Sequence, residues 1–373
     1  MKYANQLPAS AIGHRQAVES AVAHRRVTTP AEQRVMRSWR RCLEQHSLDP
    51  AQPRRPSVVD SADLCRRRAS LGPTYAIVRA AMLRLSATFD RTLCAIFTDA
   101  EGVILHYMAL PAFAQQARGL RVGAIWSESE QGTNGMGTCL VDREPVIIEQ
   151  NHHFLAQNKG LTCFAMPVFH PRGGLLGALD ISCHNLPPHA PMLALLDLAV
   201  LDIENRLLQQ STHERIVSFS PTRHHIGTVL EGVVSVDDGG RVTGANRAAL
   251  HLLGVCAQQQ VLGRSIQELF GIDADQVASS RDPSVFRCRP PLERGGHARY
   301  YLRVQSPAMT PGCTAQTEIR PVRTAVAAAE RGALLDALQH WDWNVSQAAR
   351  ALGIGRKTLY RKLSKHKLGP ALE

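Results

Sequence analysis

The first 75 residues alternate apolar and polar positions with a helical period. In PAEQRVMRSWRRCLEQH (30–46), Val35, Met36, Trp39, Cys42 and Leu43 share one face. SLDPAQPRRPSV then interrupts the pattern with Pro50, Pro53 and Pro56. A second helical stretch is predicted from Pro73 through TYAIVRAAMLRLSATFD. From Arg91 the period shortens. LCAIFTDAEGVILHYM reads as strand, turn, strand, with Asp99-Ala100-Glu101-Gly102 supplying the turn. EPVIIEQ reads as a strand, and CFAMPVFHPRGGLLGALDISCH as a hairpin around Pro171-Arg172-Gly173-Gly174. PMLALLDLAVLDIENRLLQQ reads as a long amphipathic helix. Strands flanked by helices in this way predict an α+β domain with an antiparallel sheet.

A second mixed segment follows. VLEGVVSVDDGGRVTGANRAALHLLG predicts strand, turn, strand and helix, and VFRCRPPLERGGHARYYLRVQ a further hairpin. SPAMTPGCTAQTEIRPVR has the composition of a linker, which if flexible spans roughly 25 Å root-mean-square. Three helical patterns close the chain: AVAAAERGALLDALQHW, VSQAARAL and RKTLYRKLSKH. The chain is therefore expected to be an α+β multidomain protein. Its expected parts are an N-terminal helical segment (1–75), a first α+β domain (76–212), a second (213–305), a linker (306–323) and an all-α C-terminal domain (324–373).

Charge sharpens this picture. Of 373 residues 44% are hydrophobic and 20% charged, ordinary values for a globular protein, but the net charge is +11 and the pI near 9.5. Such a balance favours nucleic acid or an anionic membrane as partner. The first 71 residues hold 13 Lys/Arg against 6 Asp/Glu. Residues 344–368 hold Arg350, Arg356, Lys357, Arg361, Lys362, Lys365 and Lys367 and no acidic residue. No apolar run approaches ~18 residues, so no transmembrane helix is expected. The start lacks a signal-peptide core, and a cytoplasmic location is expected. Nine scattered cysteines form neither a C-x-x-C nor a zinc-type Cys/His set, which suggests reduced thiols acting as small core residues. No metal and no cofactor are expected.

The basic tail has the pattern of a DNA-reading helix pair. Ala349 is small enough to let two helices approach, and Gly353 is free to take a positive φ between them. Val345, Ala348, Leu352, Ile354, Leu359 and Leu363 fall at core positions. The second helix then projects Arg356, Lys357, Thr358, Tyr360 and Arg361. A recognition helix reads base edges near its start and grips phosphates with the cations around it. Arg356 and Lys357 stand at that start, Thr358 is placed to touch bases, and Lys362, Lys365 and Lys367 fit phosphate contacts. Ser346 and Gln347 complete the candidate DNA-binding set. Gly355 occupies the N-cap position, where Ser or Asn is more usual.

NVSQAARALGIGRKTLYRKL resembles the Fis-type helix-turn-helix that closes many bacterial enhancer-binding regulators. SWRRCLEQHSLDP (38–50) resembles an opening segment of the acetoin-catabolism class of these regulators. ESEQGTNGMGTCLVDREPVIIEQNHHF (128–154), with CFAMPVFHPRGGLLGALDISCH (163–184), resembles their GAF sensor domain. EGVVSVDDGGRVTGANRAALHLLG (231–254) is similar to the start of a PAS domain. Full-length members of the class carry an AAA+ ATPase between sensor and tail. Here no G-x-x-x-x-G-K-[ST] is present, and the linker stands where a whole domain would be needed. The family's ATP-driven promoter opening is therefore not carried over.

A GAF domain implies a mostly apolar pocket with a few fixed polar groups. Candidates for its lining are Phe97, Trp126, Met136, Cys139, Phe164, Met166 and Asp180. Each is also an ordinary core or turn residue by type. GTNGMGT reads as a turn entering a helix, with Asn134 as cap, rather than as a phosphate loop. His152-His153 near Cys163, and His184 beside Cys183, raise a metal or haem reading, although their spacing matches no ligand set. A thiol sensor at Cys94, Cys139 or Cys163 would need an electropositive, exposed setting.

The expected function is a sequence-specific DNA-binding transcription regulator that senses a small molecule through its GAF-like domain, without ATPase activity. The alternatives are an architectural DNA-binding protein and an enzyme with a sensory GAF domain. Against the enzyme, no triad, nucleotide loop, zinc set or paired-carboxylate motif is apparent. Expected partners are double-stranded DNA with a palindromic operator, an effector, a second copy of the chain through helices near 190–210 and 326–341, and RNA polymerase or a full-length relative.

Overall fold

The structure is a computed structural model. It describes residues 8–24, 29–87, 93–109, 113, 119–184, 189–210, 214–272, 286–288, 300–305, 334, 338, 344–352 and 354–365. The linker at 306–323, Gly353, Lys367 and most of the helix expected at 326–341 lie outside these residues. The chain forms two compact units. One comprises residues 1–211 with 244–250 and 255–262, the other the remainder.

The first unit is built on a five-stranded antiparallel sheet in the order β2-β1-β5-β4-β3. Its strands are β1 (Leu93–Asp99), β2 (Ile104–Ala109), β3 (Val146–Glu149), β4 (Thr162–Phe169) and β5 (Leu175–Cys183). Both faces of the central strands are covered, so LCAIF and TCFAMPVF read as continuous apolar runs rather than alternating ones. Alternate residues go to different layers. Ala95, Phe97, Phe164, Met166, Leu179 and Ile181 pack toward α4, given below. Cys94, Ile96, Cys163, Ala165 and Ala178 face the opposite layer. The turn between β4 and β5 carries Gly173 at φ +101° and Gly174 at φ +92°, a conformation that side chains disfavour.

The helices of this unit are α1 (Ala9–His24), α2 (Pro30–Arg40), α3 (Ser61–Ser70), α4 (Pro73–Ser86), α5 (Gly135–Asp142) and α6 (His189–Gln209). Helix α2 starts from a capping box, in which Thr29 accepts from the Glu32 amide and Glu32 reaches back to the Thr29 amide. It runs on into one π-helical turn, Arg41–Gln45. Helices α4 and α6 cover one face of the sheet through Val78, Met82, Leu85, Leu196, Val200 and Ile203. Against the other face lie α5 and the two N-terminal helices, through Val18, Val35, Met36, Trp39 and Cys42. The N-terminal helices are thus part of this core.

A second five-stranded sheet has the order β8-β7-β6-β10-β9. Its strands are β6 (Arg215–Ser220), β7 (Gly232–Val236), β8 (Val242–Ala245), β9 (Phe286–Cys288) and β10 (Tyr300–Gln305), with short helices α7 (Arg247–Leu252) and α8 (Ile266–Phe270). Strand β6 takes the centre of this sheet, although the hydrophobic pattern of the sequence did not single it out. Phe219, Phe270 and Tyr300 meet edge to face, with centroids 4.7 and 5.4 Å from Phe219. The tail contributes α9 (Val345–Ala351) and α10 (Arg356–Lys365).

Candidate functional site

The tail is held by a small apolar core. Leu334, Leu338, Ala348, Ala349, Leu359 and Leu363 are buried, and Val345, Leu352 and Ile354 pack against them. The methyl groups of Ala348 and Ala349 let α9 approach its neighbours closely. Asn344 caps α9 by accepting from the Gln347 amide at 3.2 Å. Gly355 gives its carbonyl to the Leu359 amide at 3.0 Å and so stands at the N-cap of α10, without a side chain to complete the cap.

With Leu359 and Leu363 turned inward, helical geometry sends Lys357, Tyr360, Arg361 and Ser364 outward. All four are exposed, Tyr360 to 60%. Arg356 is exposed too, but its Nη1 lies 3.5 Å from the Ser346 hydroxyl at the start of α9. Ser346, Gln347 and Lys365 are exposed, and Thr358 and Lys362 are half-buried. The nine candidate residues thus gather on two consecutive short helices, with no acidic residue between 344 and 365. Such a surface offers hydrogen-bond donors and positive charge to phosphate and base edges.

The seven candidate lining residues of the first unit are all buried but do not share one surface. Phe97, Phe164 and Met166 lie between the sheet and helices α4 and α6. Trp126, Met136 and Cys139 belong to the opposite layer. Asp180 stands opposite Ile96 and Ala165 in the register and therefore faces that layer as well. Its Oδ1 accepts from Ser182 Oγ at 2.5 Å, while Oδ2 has no partner. Burial pushes the Asp180 carboxyl up to about 7, with the Ser182 bond acting in the other direction. Ser182 Oγ also lies 3.1 Å from Cys163 Sγ, which lies 3.4 Å from His153 Nε2. Nδ1 of His153 donates to the Gln150 carbonyl, and burial lowers this imidazole to about 4.

The glycine-rich stretch lies against this chain of polar groups. Asn134 caps α5, its Oδ1 accepting from the Gly137 amide at 2.9 Å, as the sequence suggests. A Cβ on Gly135 would come within 2.5 Å of Asp180 Oδ2 and 2.6 Å of Cys163 Cβ, and one on Gly137 within 2.6 Å of the Glu128 amide. These glycines bring the start of α5 onto the sheet. Among the described residues no group of three or more His, Cys, Asp or Glu is placed to hold a metal. Cys94, Cys139 and Cys163 are buried, and burial pushes each thiol well above its ordinary range, the reverse of what a reactive thiolate needs.

Sequence reasoning missed two features. The first is the buried carboxylate of Glu128. It takes Arg41 Nε and Nη2 at 2.5 and 2.9 Å and Ser38 Oγ at 2.5 Å, with Thr133 2.7 Å beyond Ser38. The second is an open cleft of about 710 Å³ lined by Arg54, Arg55, Arg121, Asn158 and His184. No local pattern joins residues so far apart in the chain.

Family models match three segments. The GAF domain matches residues 74–207, the PAS domain 226–288, and the bacterial regulatory protein, Fis family, helix-turn-helix 325–366. The chain combines a GAF domain, a PAS domain and a Fis-type helix-turn-helix. Its domain content is that of a transcriptional regulator. The chain is 30% identical over 290 residues to the acetoin catabolism regulatory protein of Cupriavidus necator, covering 74% of this chain and 43% of that protein. It is 27% identical over 186 residues to the acetoin dehydrogenase operon transcriptional activator AcoR of Bacillus subtilis, covering 49% and 31%. With the propane 2-monooxygenase operon transcriptional activator MimR of Mycolicibacterium smegmatis the identity is 26%, covering 62% and 39%. The chain thus spans less than half the length of these relatives. Among solved structures it is similar to the E. coli DhaR(N)–DhaL complex, at 16% identity and a TM-score of 0.44, over 74% of this chain and 99% of that one. Between the PAS match and the helix-turn-helix lie residues 289–324, fewer than the roughly 50 residues of the smallest ordinary domains, so no ATPase domain fits there. No described helix is long and apolar enough to cross a membrane.

Proposed function

We propose that the chain is a sequence-specific DNA-binding transcription regulator that responds to a small molecule through its GAF domain and does not hydrolyse ATP. One observation carries the reading. Helices α9 and α10 close on a core of Ala348, Ala349, Leu359 and Leu363 and leave Arg356, Lys357, Tyr360 and Arg361 exposed. Arg356, Lys357 and Thr358 are assigned to base edges, and Arg361, Lys362 and Lys365 to phosphates, with Ser346 and Gln347 at the start of α9 beside them. A homodimer would set two such helix pairs on a palindromic site. Without a nucleotide loop the chain acts by recruiting or blocking polymerase, or by sharing sites with a full-length relative, rather than by ATP-driven remodelling.

The test is selection of bound duplexes from a random pool, followed by footprinting. A discrete palindrome supports the regulator. Protection without sequence preference, accompanied by DNA bending, would favour an architectural protein instead.

A further inference from the structure

The cleft in the first unit gathers three arginines. Around Arg54, Arg55 and Arg121 its lining includes Gln157, Asn158 and His184, with prolines, glycines and Leu161 completing the walls. No carboxylate lines it, and none of the three guanidiniums has an acidic partner among the described residues. Asn158 is 5% exposed, yet its Nδ2 has no acceptor. His184 stacks on Phe113 at 4.8 Å and donates from Nδ1 to the Gly160 carbonyl, which leaves Nε2 unpartnered. These two atoms are themselves closed off from solvent, so it is the three guanidiniums without carboxylate partners that give the cleft its open positive charge.

The walls are preorganised. The Gln157 amide clamps the Arg54 backbone from both sides, accepting from its N–H at 3.0 Å and donating to its carbonyl at 2.6 Å. The Ala156 amide is held by the Pro50 carbonyl at 2.9 Å. A Cβ on Gly119 would sit 3.2 Å from the Pro56 ring, so the two segments are in close contact there, and Trp126 Nε1 donates to the Gly119 carbonyl at 3.1 Å. The two arginines between Pro53 and Pro56 are therefore presented on a fixed backbone beside Arg121, from a different loop.

We propose that this cleft binds a small organic oxyanion, a carboxylate or a phosphate monoester, and that this is the effector class of the sensor. Guanidinium groups are matched to such oxygens, and bidentate arginine contacts supply geometry as well as charge. The regulatory part of the proposal rests on the sensory reading above, whereas the binding part does not.

The experiment uses the full chain at fixed ionic strength and two probe pairs, each an anion and a neutral analogue: succinate against 1,4-butanediol and glycerol 3-phosphate against glycerol. Binding is followed by calorimetry and DNA affinity by anisotropy. One of the two anions is expected to bind saturably and its neutral counterpart not at all, and the pair that responds distinguishes carboxylate from phosphate. In Arg54→Gln/Arg121→Gln, where both altered side chains are exposed, the affinity should fall about tenfold or more at unchanged melting temperature. Equal binding of anion and neutral probe, or equal affinity in the double variant, overturns the site, as does failure of both anions to bind. Saturable anion binding that leaves DNA affinity unchanged keeps the site and removes its role as sensor.

Discussion

Arg41 and Glu128 form a bidentate ion pair, at 2.5 and 2.9 Å, around a carboxylate that is 1% exposed. Asp142 stands 3.2 Å from the same guanidinium, and these acidic neighbours raise its pKa further, chiefly through the hydrogen bonds that Arg41 donates to Glu128. The pair fastens the π-helical turn after α2 to the stretch that leads into α5. Breaking one side of such a buried pair leaves a charge without its counterion. Arg41→Met is therefore expected to destabilise the first unit by about 3 kcal/mol, and adding Glu128→Gln to recover part of that loss. Denaturant unfolding followed by tryptophan fluorescence measures both; equal stability of the two variants would mean that the paired charge is not what holds the segment.

Gly135 offers a second test of how α5 is seated. Gly135→Ala puts a methyl group 2.5 Å from Asp180 Oδ2 and 2.6 Å from Cys163 Cβ, both on strands at the centre of the sheet. Cys163 Cβ is fixed to its strand, and the Asp180 carboxylate is buried and tied through Oδ1 to Ser182, so the helix must move. A loss of about 1–3 kcal/mol is expected, in the range of overpacked cores. Gly174→Ala, where nothing lies within 4 Å of the added carbon, serves as comparison and should be affected only through its φ of +92°.

Much of this was legible in the sequence because it is local. The strands β1, β4 and β5, the turn at 171–174 and the tail core of Ala348, Leu359 and Leu363 all follow from short-range period and turn chemistry. Residue type marks the lining candidates as apolar or small, but does not say which face of a doubly covered strand a residue takes. Phe97 and Phe164 accordingly fall on one side of the sheet and Trp126 and Met136 on the other. Helix α1 carried a usable signal, since Ala11, His14 and Val18 are spaced for one buried face. The Arg54–Arg121–His184 cleft carried none, because only the fold brings those residues together.

Asp180 and His153 should make stability depend on pH in opposite senses. Asp180 has its folded pKa raised from 3.8 to about 7, so the folded chain keeps a proton that the unfolded chain releases. Its contribution is present at low pH and is lost as pH rises through that window, levelling above about 7. His153 is lowered from 6.5 to about 4, so its contribution is present above 6.5 and is lost as pH falls toward 4. Over the shared window the two slopes offset each other, and a wild-type profile alone hides both. In Asp180→Asn the stability gained over wild type should grow with pH between about 4 and 7, by at most ~1.4 kcal/mol per unit, and then stay constant. Parallel profiles for the two proteins would show that Asp180 ionises at the same pH folded and unfolded.

Arg356 and Lys365 stand at opposite ends of α10 and are assigned different work. Arg356, at the start of the helix beside Ser346, is proposed to make a bidentate contact to a guanine edge. Arg356→Ala should then cost about 1–3 kcal/mol on the specific duplex and relax preference at one base position in each half-site. Lys365 lies in the last turn, beyond the base-reading end, and is assigned to phosphate. Lys365→Ala should weaken binding to all sequences alike and lower the slope of log K against log salt by about one unit per site. Binding of both variants to specific and scrambled duplexes across a salt series separates the two roles. The outward stripe of Lys357, Tyr360 and Arg361 supplies the alternative. If Arg356→Ala weakens both duplexes equally while Lys357→Ala relaxes preference, the helix docks in a register rotated toward that stripe, and Arg356 grips the backbone.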